Sequence, residues 1–160
     1  MDNDSVKKEL GAIRISAMNI LAAREHSIVE LRRKLDKKFS KHNDFDSLNE
    51  LIEIVLQQLL DDNLLNEARF TECFIRSRIN KGSGPVKIRH ELMERGISSE
   101  LSSDYLDDSY DFWLQHIEAV RNKRFGIQLP EDYKEQTKQS RFLYQRGFSS
   151  EFIRRLFNEV

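Results

Sequence analysis

Apolar residues recur at helical spacing along most of the chain. Near its start they fall at Ile15, Met18, Leu21 and Ala22, a stripe that predicts an amphipathic helix. Ser27 and Glu30 form a capping box, in which hydroxyl and carboxylate satisfy otherwise unpaired amides. The helix it opens is expected to run to about Lys38, with Ile28, Leu31 and Leu35 on one face. After a polar link from Lys41 to Asp44, Ser47 and Glu50 read as a second capping box. Leu48, Leu51, Ile52, Val55, Leu56 and Leu59 then make the clearest amphipathic pattern in the chain.

Further on, Asn66 is placed to cap a helix bearing Ala68, Phe70, Phe74 and Ile75, which Lys81-Gly82-Ser83-Gly84 interrupts. Pro85 suits the first position of the next helix, where its missing N–H leaves nothing unpaired. Ile88 and Leu92 line that helix, and Gly96 ends it in the left-handed cap position that glycine tolerates. Ser98 or Ser99 caps a third helix with Leu101, Tyr105 and Leu106. The plan then repeats. Trp113, Ile117 and Val120 line one helix, Pro130 opens a second, Gly147 closes it, and Phe152, Ile153, Leu156 and Phe157 line the last.

The repetition is literal in one block. Arg95-Gly96-Ile97-Ser98-Ser99-Glu100 returns as Arg146-Gly147-Phe148-Ser149-Ser150-Glu151. Outside it, Leu92 matches Leu143, Leu101 matches Phe152, Leu106 matches Phe157 and Lys87 aligns with Lys138. A fixed period of this kind marks stacked supersecondary units, which present a surface to another macromolecule more often than they enclose a pocket. The fold expected is all-α, an elongated array of three tandem three-helix repeats over residues 11–62, 63–108 and 109–160 after a polar tail at 1–10. The first repeat is the most diverged. Phe39 or Ser40 stands where the others carry Gly96 and Gly147, so its second helix must end differently.

Composition agrees with this class. Among 160 residues, 39% are hydrophobic and 33% charged, with two prolines and six glycines, a polar balance suited to helices with a modest core per residue. A single cysteine, Cys73, rules out an internal disulfide framework or a cysteine zinc site. Met1-Asp2-Asn3-Asp4 offers no hydrophobic signal core, and no apolar stretch reaches the ~20 residues that span a bilayer, so a cytoplasmic protein without membrane contact is expected.

The net charge of −1 gives no overall attraction to nucleic acid, but its distribution is uneven. Arg32, Arg33, Lys34, Lys37 and Lys38 share one helix, the last four forming a strip opposite Leu31 and Leu35. Arg76, Arg78, Lys81, Lys87 and Arg89 cluster around the glycine-bearing turn. There, backbone amides and the helix dipole at Pro85 could meet an anion. Contact with phosphate or an acidic protein surface is one reading, and a solvated helix face the plainer alternative. Between Glu100 and Glu118 the sign reverses, with Asp104, Asp107, Asp108 and Asp111 and no lysine or arginine. These acids lack the glycine-bearing pattern of a calcium loop and read better as a solvated acidic face.

No catalytic constellation emerges. The Lys-Gly-x-Gly-Pro turn lacks the Gly-Lys-[Ser/Thr] ending of a nucleotide-binding loop. His26, His42, His90 and His116 are scattered without metal-helix spacing, and Cys73 is expected to be buried and inert. No enzyme, cofactor, metal or small-molecule substrate is expected.

Three segments together resemble the bacterial RecX family. They are Ala17 to Leu35, with Arg24, Ser27 and Glu30-Leu31-Arg32-Arg33-Lys34-Leu35; Arg69 to Leu92, with Phe74-Ile75-Arg76-Ser77-Arg78, Lys81-Gly82-x-Gly84-Pro85 and Ile88-Arg89-x-Glu91-Leu92; and Arg141-Phe142-Leu143-x-x-Arg146-Gly147-Phe148. The likeness spans residues 14–157. It implies tandem three-helix repeats and a non-enzymatic regulator that binds the RecA–single-stranded DNA filament and inhibits its recombinase, ATPase and co-protease activities. The implied partners are the RecA recombinase filament and single-stranded DNA within it, and the chain is expected to act as a monomer. Candidate partner and DNA contacts are Arg24, Arg32, Arg33, Lys34, Arg76, Arg78, Lys81, Lys87 and Arg89, with Gly84, Pro85, Gly96 and Gly147 in structural roles. The alternatives are a stand-alone helical nucleic-acid-binding module and a protein–protein adaptor.

Overall fold

The computed structural model describes residues 2–41, 44–106 and 109–158, with the side chain of Phe45 also left out. Among the described residues there are nine α-helices and no strand. They are α1 (Asn3–Ala23), α2 (Ile28–Phe39), α3 (Phe45–Asp61), α4 (Glu67–Asn80), α5 (Pro85–Glu94), α6 (Ser99–Tyr105), α7 (Tyr110–Phe125), α8 (Tyr133–Gln145) and α9 (Ser150–Asn158). Two compact units divide the chain. The first runs up to Thr71 and includes Arg95–Ile97; the second holds Glu72–Glu94 and everything from Ser98 onward.

In the first unit α1, α2 and α3 pack on one another. The core joins Ile13 and Ala17 of α1 and Leu31 and Leu35 of α2 to the whole α3 stripe from Leu48 to Leu59. The phase expected for α1 is corrected. Ile15 and Met18 are exposed, at 63% and 43%, whereas Ile13 and Ala17 are buried and Val6, Leu10, Ile20 and Leu21 pack partly against the core. Residues expected as a polar tail are helical from Asn3, because Val6 and Leu10 extend the inward stripe at helical spacing.

Two helix starts also differ from expectation. α3 begins at Phe45 after Asp44, so Ser47 lies inside its first turn instead of capping it. α8 begins at Tyr133, beyond Pro130, because Asp132 Oδ1 accepts the Glu135 N–H at 2.7 Å and supplies the cap. Ser27, Asn66 and Ser98 do cap, accepting from Glu30, Arg69 and Leu101 respectively. Helix α2 ends without a left-handed residue. Ser40 stays right-handed and its N–H donates to the Asp36 carbonyl. His42, Asn43, Asp107 and Asp108 lie outside the described residues, and with them part of the polar link and of the acidic stretch.

In the second unit α7 packs on α8 and α9, and α5 on α6. Its core includes Ile75, Ile88, Leu92, Leu106, Trp113, Ile117, Leu143, Phe148 and Ile153. Tyr105, expected on the apolar stripe of α6, is exposed, and Ser102 is buried instead, its hydroxyl donating to the Ser98 carbonyl. Arg121 is 2% exposed and donates to neutral acceptors: the Ile127 and Gln128 carbonyls and the Asn122 and Gln139 side-chain oxygens. A buried guanidinium holding two loop carbonyls fixes the segment that leads into α8.

Candidate functional site

The basic helix of the first unit follows from its amphipathic sequence, which turns Leu31 and Leu35 inward and leaves the cations outside. Two of those cations, Arg32 and Lys34, and the neighbouring Arg24 already hold polar partners. Arg32 donates to Glu53 through two bonds, one of 3.2 Å, and this pairing holds the Glu53 carboxyl below its ordinary value. Arg24 donates to Glu30 at 2.6 Å and to the Glu25 carbonyl. Lys34 is exposed, and its ammonium donates to His26 Nε2 at 2.9 Å. Arg33 is exposed, with no ion pair among the described residues.

His26 is buried beneath this helix, and its Nδ1 lies 2.9 Å from the Arg24 carbonyl. With Lys34 donating to the other nitrogen, the ring is the neutral tautomer that donates from Nδ1. Burial pushes its pKa below 6.5, and the neighbouring Arg24 and Lys34 charges push the same way against the Arg24 carbonyl bond.

The middle cluster is dispersed by tertiary pairing. Arg78 sits over the Phe74 ring at 4.5 Å and donates to Glu91 at 2.7 Å; at 23% exposed it clamps α4 to α5. Arg76 pairs with Glu72 one turn back, and Arg89 donates to Ser103. Lys81 and Lys87 are exposed.

The turn they flank does not present its amides to solvent. Gly84 N–H donates to the Arg146 carbonyl at 2.7 Å and Val86 N–H to the Gly147 carbonyl at 3.0 Å. Pro85 has no N–H to offer. A Cβ on Gly84 would overlap the Gly147 carbonyl, and one on Gly147, whose φ is +98°, would overlap Lys87. The expected anion cradle is therefore corrected: the loop after α8 fills the place an anion would take. Gly96, at φ +77°, seats in the same way against Val29 within the first unit, and Arg95 lies 3.3 Å from Glu30.

A basic surface that the sequence did not single out lies in the second unit, between the end of α4, α7 and α8. A cleft of about 360 Å³ is floored by Ile79, Ala119, Val120 and Phe142 and rimmed by Lys81, Lys123, Arg124 and Arg146. A shallower concavity of about 520 Å³ shares Phe142 and runs along α8 past Lys134, Lys138 and Arg141 to Tyr133. Among the described residues no aspartate or glutamate lines either one. Its cations come from three separated stretches of chain, so no single charge run marks them. The i, i+4, i+7 spacing of Lys134, Lys138 and Arg141 was the available signal.

His116 touches this cleft, its ring packed against Phe112, Trp113 and Phe148 and its Nε2 3.0 Å from the Ser83 carbonyl. Burial lowers its pKa below 6.5, with the Ser83 bond opposing. Cys73 is exposed, against expectation, because it falls on the outer face of α4 between the inward Phe70 and Ile75. Among the described residues no three His, Cys, Asp or Glu side chains converge as a metal site would require, and no helix is long and apolar enough to cross a membrane.

The repeats match known proteins in order. Residues 66–106 match the second three-helix domain of RecX, and residues 111–157 match the third. The chain is 38% identical over 143 residues to the regulatory protein RecX of Halorhodospira halophila, covering 89% of this chain and 84% of that one. It is 42% identical over 147 residues to the regulatory protein RecX of Pseudomonas entomophila, covering 92% and 90%. The crystal structure of RecX from Lactobacillus salivarius superposes with a TM-score of 0.73 at 21% identity, over 96% of this chain and 97% of that one. With both domain matches in place and likeness to two such regulators over most of each chain, the chain belongs to the RecX family of regulatory proteins.

Proposed function

We propose that this chain is a non-enzymatic regulator that binds the filament formed by the RecA recombinase on single-stranded DNA and inhibits its recombinase, ATPase and co-protease activities. Family membership over nine-tenths of the chain is the observation that carries the reading. The charge distribution supports it: exposed cations stand on both units of a protein whose net charge is −1. Such a protein holds bare DNA weakly, because affinity for a polyanion grows with the number of phosphates neutralised. A filament offers acidic and basic protein surface beside the strand, and complementary charge then sets orientation and on-rate.

Within this reading Arg33, Lys34, Lys81 and Lys87 are the contacts best placed to reach a partner. Arg24, Arg32, Arg76, Arg78 and Arg89 contribute more by holding Glu30, Glu53, Glu72, Glu91 and Ser103. Bound side chains that span neighbouring RecA subunits would oppose strand exchange and ATP turnover. The test is binding of the labelled chain to a pre-formed filament, to the bare strand and to free RecA at physiological salt. Preference for the filament is expected. Equal affinity for the bare strand would favour a stand-alone nucleic-acid module, and no binding to the filament would overturn the proposal.

A further inference from the structure

Inside the second unit, the α7–α8 surface joins two properties in one place. All of its cations but Lys138 are free of carboxylates among the described residues, and they surround apolar and aromatic ground. Lys81, Lys123, Arg124, Lys134, Arg141 and Arg146 make no ion pair among the described residues, and Lys138 stands 3.9 Å from Glu135. Arg146 is held in place, its guanidinium 5.0 Å from the Phe142 centroid and its Nη1 donating to the Lys81 carbonyl at 3.0 Å. Along α8, Tyr133 and Phe142 stand nine residues apart, about two and a half turns, so they flank opposite edges of the concavity that both line. Tyr133 is 84% exposed, an unusual setting for a large ring. Lys134, Lys138 and Arg141 line the concavity between those two edges.

We infer that this surface is where the chain holds single-stranded nucleic acid, with the cations on successive phosphates and bases against Tyr133 and the Phe142–Val120 floor. The identity of the strand rests on the function proposed above; its placement rests on the geometry. Cations tracking a backbone beside rings on which bases stack are the general solution for a single strand without sequence preference. A duplex presents no free base faces to such rings. An acidic protein surface would engage the cations but leave Tyr133 and the apolar floor unused.

The test is fluorescence anisotropy of a labelled oligothymidylate with the full chain at low salt and over a salt series. The first variant is Lys123→Glu/Arg124→Glu/Arg141→Glu, three exposed side chains whose reversal leaves the core untouched. Its control carries the same charge change at exposed positions elsewhere, Lys7→Glu/Lys8→Glu/Lys37→Glu. The first variant is expected to lose at least about tenfold in affinity and to flatten the salt dependence by about 2 log units per log unit of salt, as three lost single-strand phosphate contacts imply. Tyr133→Ala is expected to lose about fivefold or more at an unchanged salt slope, because stacking releases no counterions.

Wild-type affinity in the first variant, or an equal loss in the control, would overturn the assignment. So would a first variant that keeps the oligonucleotide but loses the RecA filament, since its cations would then face acidic protein. A wild-type chain that ignores the filament, while oligothymidylate binding still depends on Lys123, Arg124 and Arg141, would remove the proposed function and leave this surface assigned.

Discussion

At the first turn of α2 the amides are taken by side chains: Glu30 N–H donates to Ser27 Oγ at 3.1 Å and Ile28 N–H to Glu67 at 3.0 Å. At the first turn of α5 they are taken by backbone, the carbonyls of Arg146 and Gly147. The residue before the helix is Ser27 in one case and Gly84 in the other. A serine can reach its own helix, whereas a glycine has no side chain to cap with but lets a neighbouring loop come in to hydrogen-bonding distance. The equivalent arginines of the duplicated block follow suit. Arg95 finds Glu30 on the helix it approaches, while the matching position of α5 is Lys87, and Arg146 instead stacks on Phe142 at the rim of a cleft. Both helix starts are closed from within, which leaves exposed side chains, not helix dipoles, to meet a partner.

The comparison breaks most visibly at Gly84. Its wall is the Gly147 backbone, so Gly84→Ala is expected to lose about 3 kcal/mol in urea unfolding, as overpacking against an immovable neighbour does, and no second substitution that shortens a side chain should restore it. Gly96→Ala meets the Val29 side chain and a left-handed backbone, for an expected loss of about 2 kcal/mol. Val29→Ala in the same chain should return about 1 kcal/mol of that, because the two changes share one contact. Equal losses at the two glycines with no rescue at Gly96 would show that the junctions are alike after all. Ser27→Ala is smaller, about 1 kcal/mol for a lost cap.

The smallest effect is on pH. His26 in the first unit and His116 in the second both have folded pKa values below the ordinary 6.5, chiefly through burial. The unfolded chain then binds the extra protons, so stability is complete above pH 6.5 and is lost as pH falls from there through the folded values. Urea unfolding across that window should show a positive slope of stability with pH that His116→Gln partly flattens.

Local signals carried the helices well. Ser27, Asn66 and Ser98 cap through bonds three residues long, and the Leu48–Leu59 stripe is wide enough to fix its own phase. The phase of α1 is not legible locally, because Ile15 and Met18 are apolar yet face outward, while the inward Val6 and Leu10 stand within a polar segment. The start of α8 was legible as Asp132 three residues before Glu135, but Pro130 gave the louder signal. The site was harder. Whether an arginine is available depends on a carboxylate 21 residues away for Arg32 and 13 for Arg78, and no periodicity reports that. The docking of Gly84 on Gly147 is non-local in the same sense, so the duplicated block showed a helix stop and start without showing what the stop rests on.

The most direct test of the regulatory assignment is ATP hydrolysis by RecA on single-stranded DNA as the chain is titrated in. Turnover that falls progressively with the wild-type chain, and falls less with Lys123→Glu/Arg124→Glu/Arg141→Glu, is the expected result. Turnover unchanged at several-fold molar excess of the wild-type chain would contradict it.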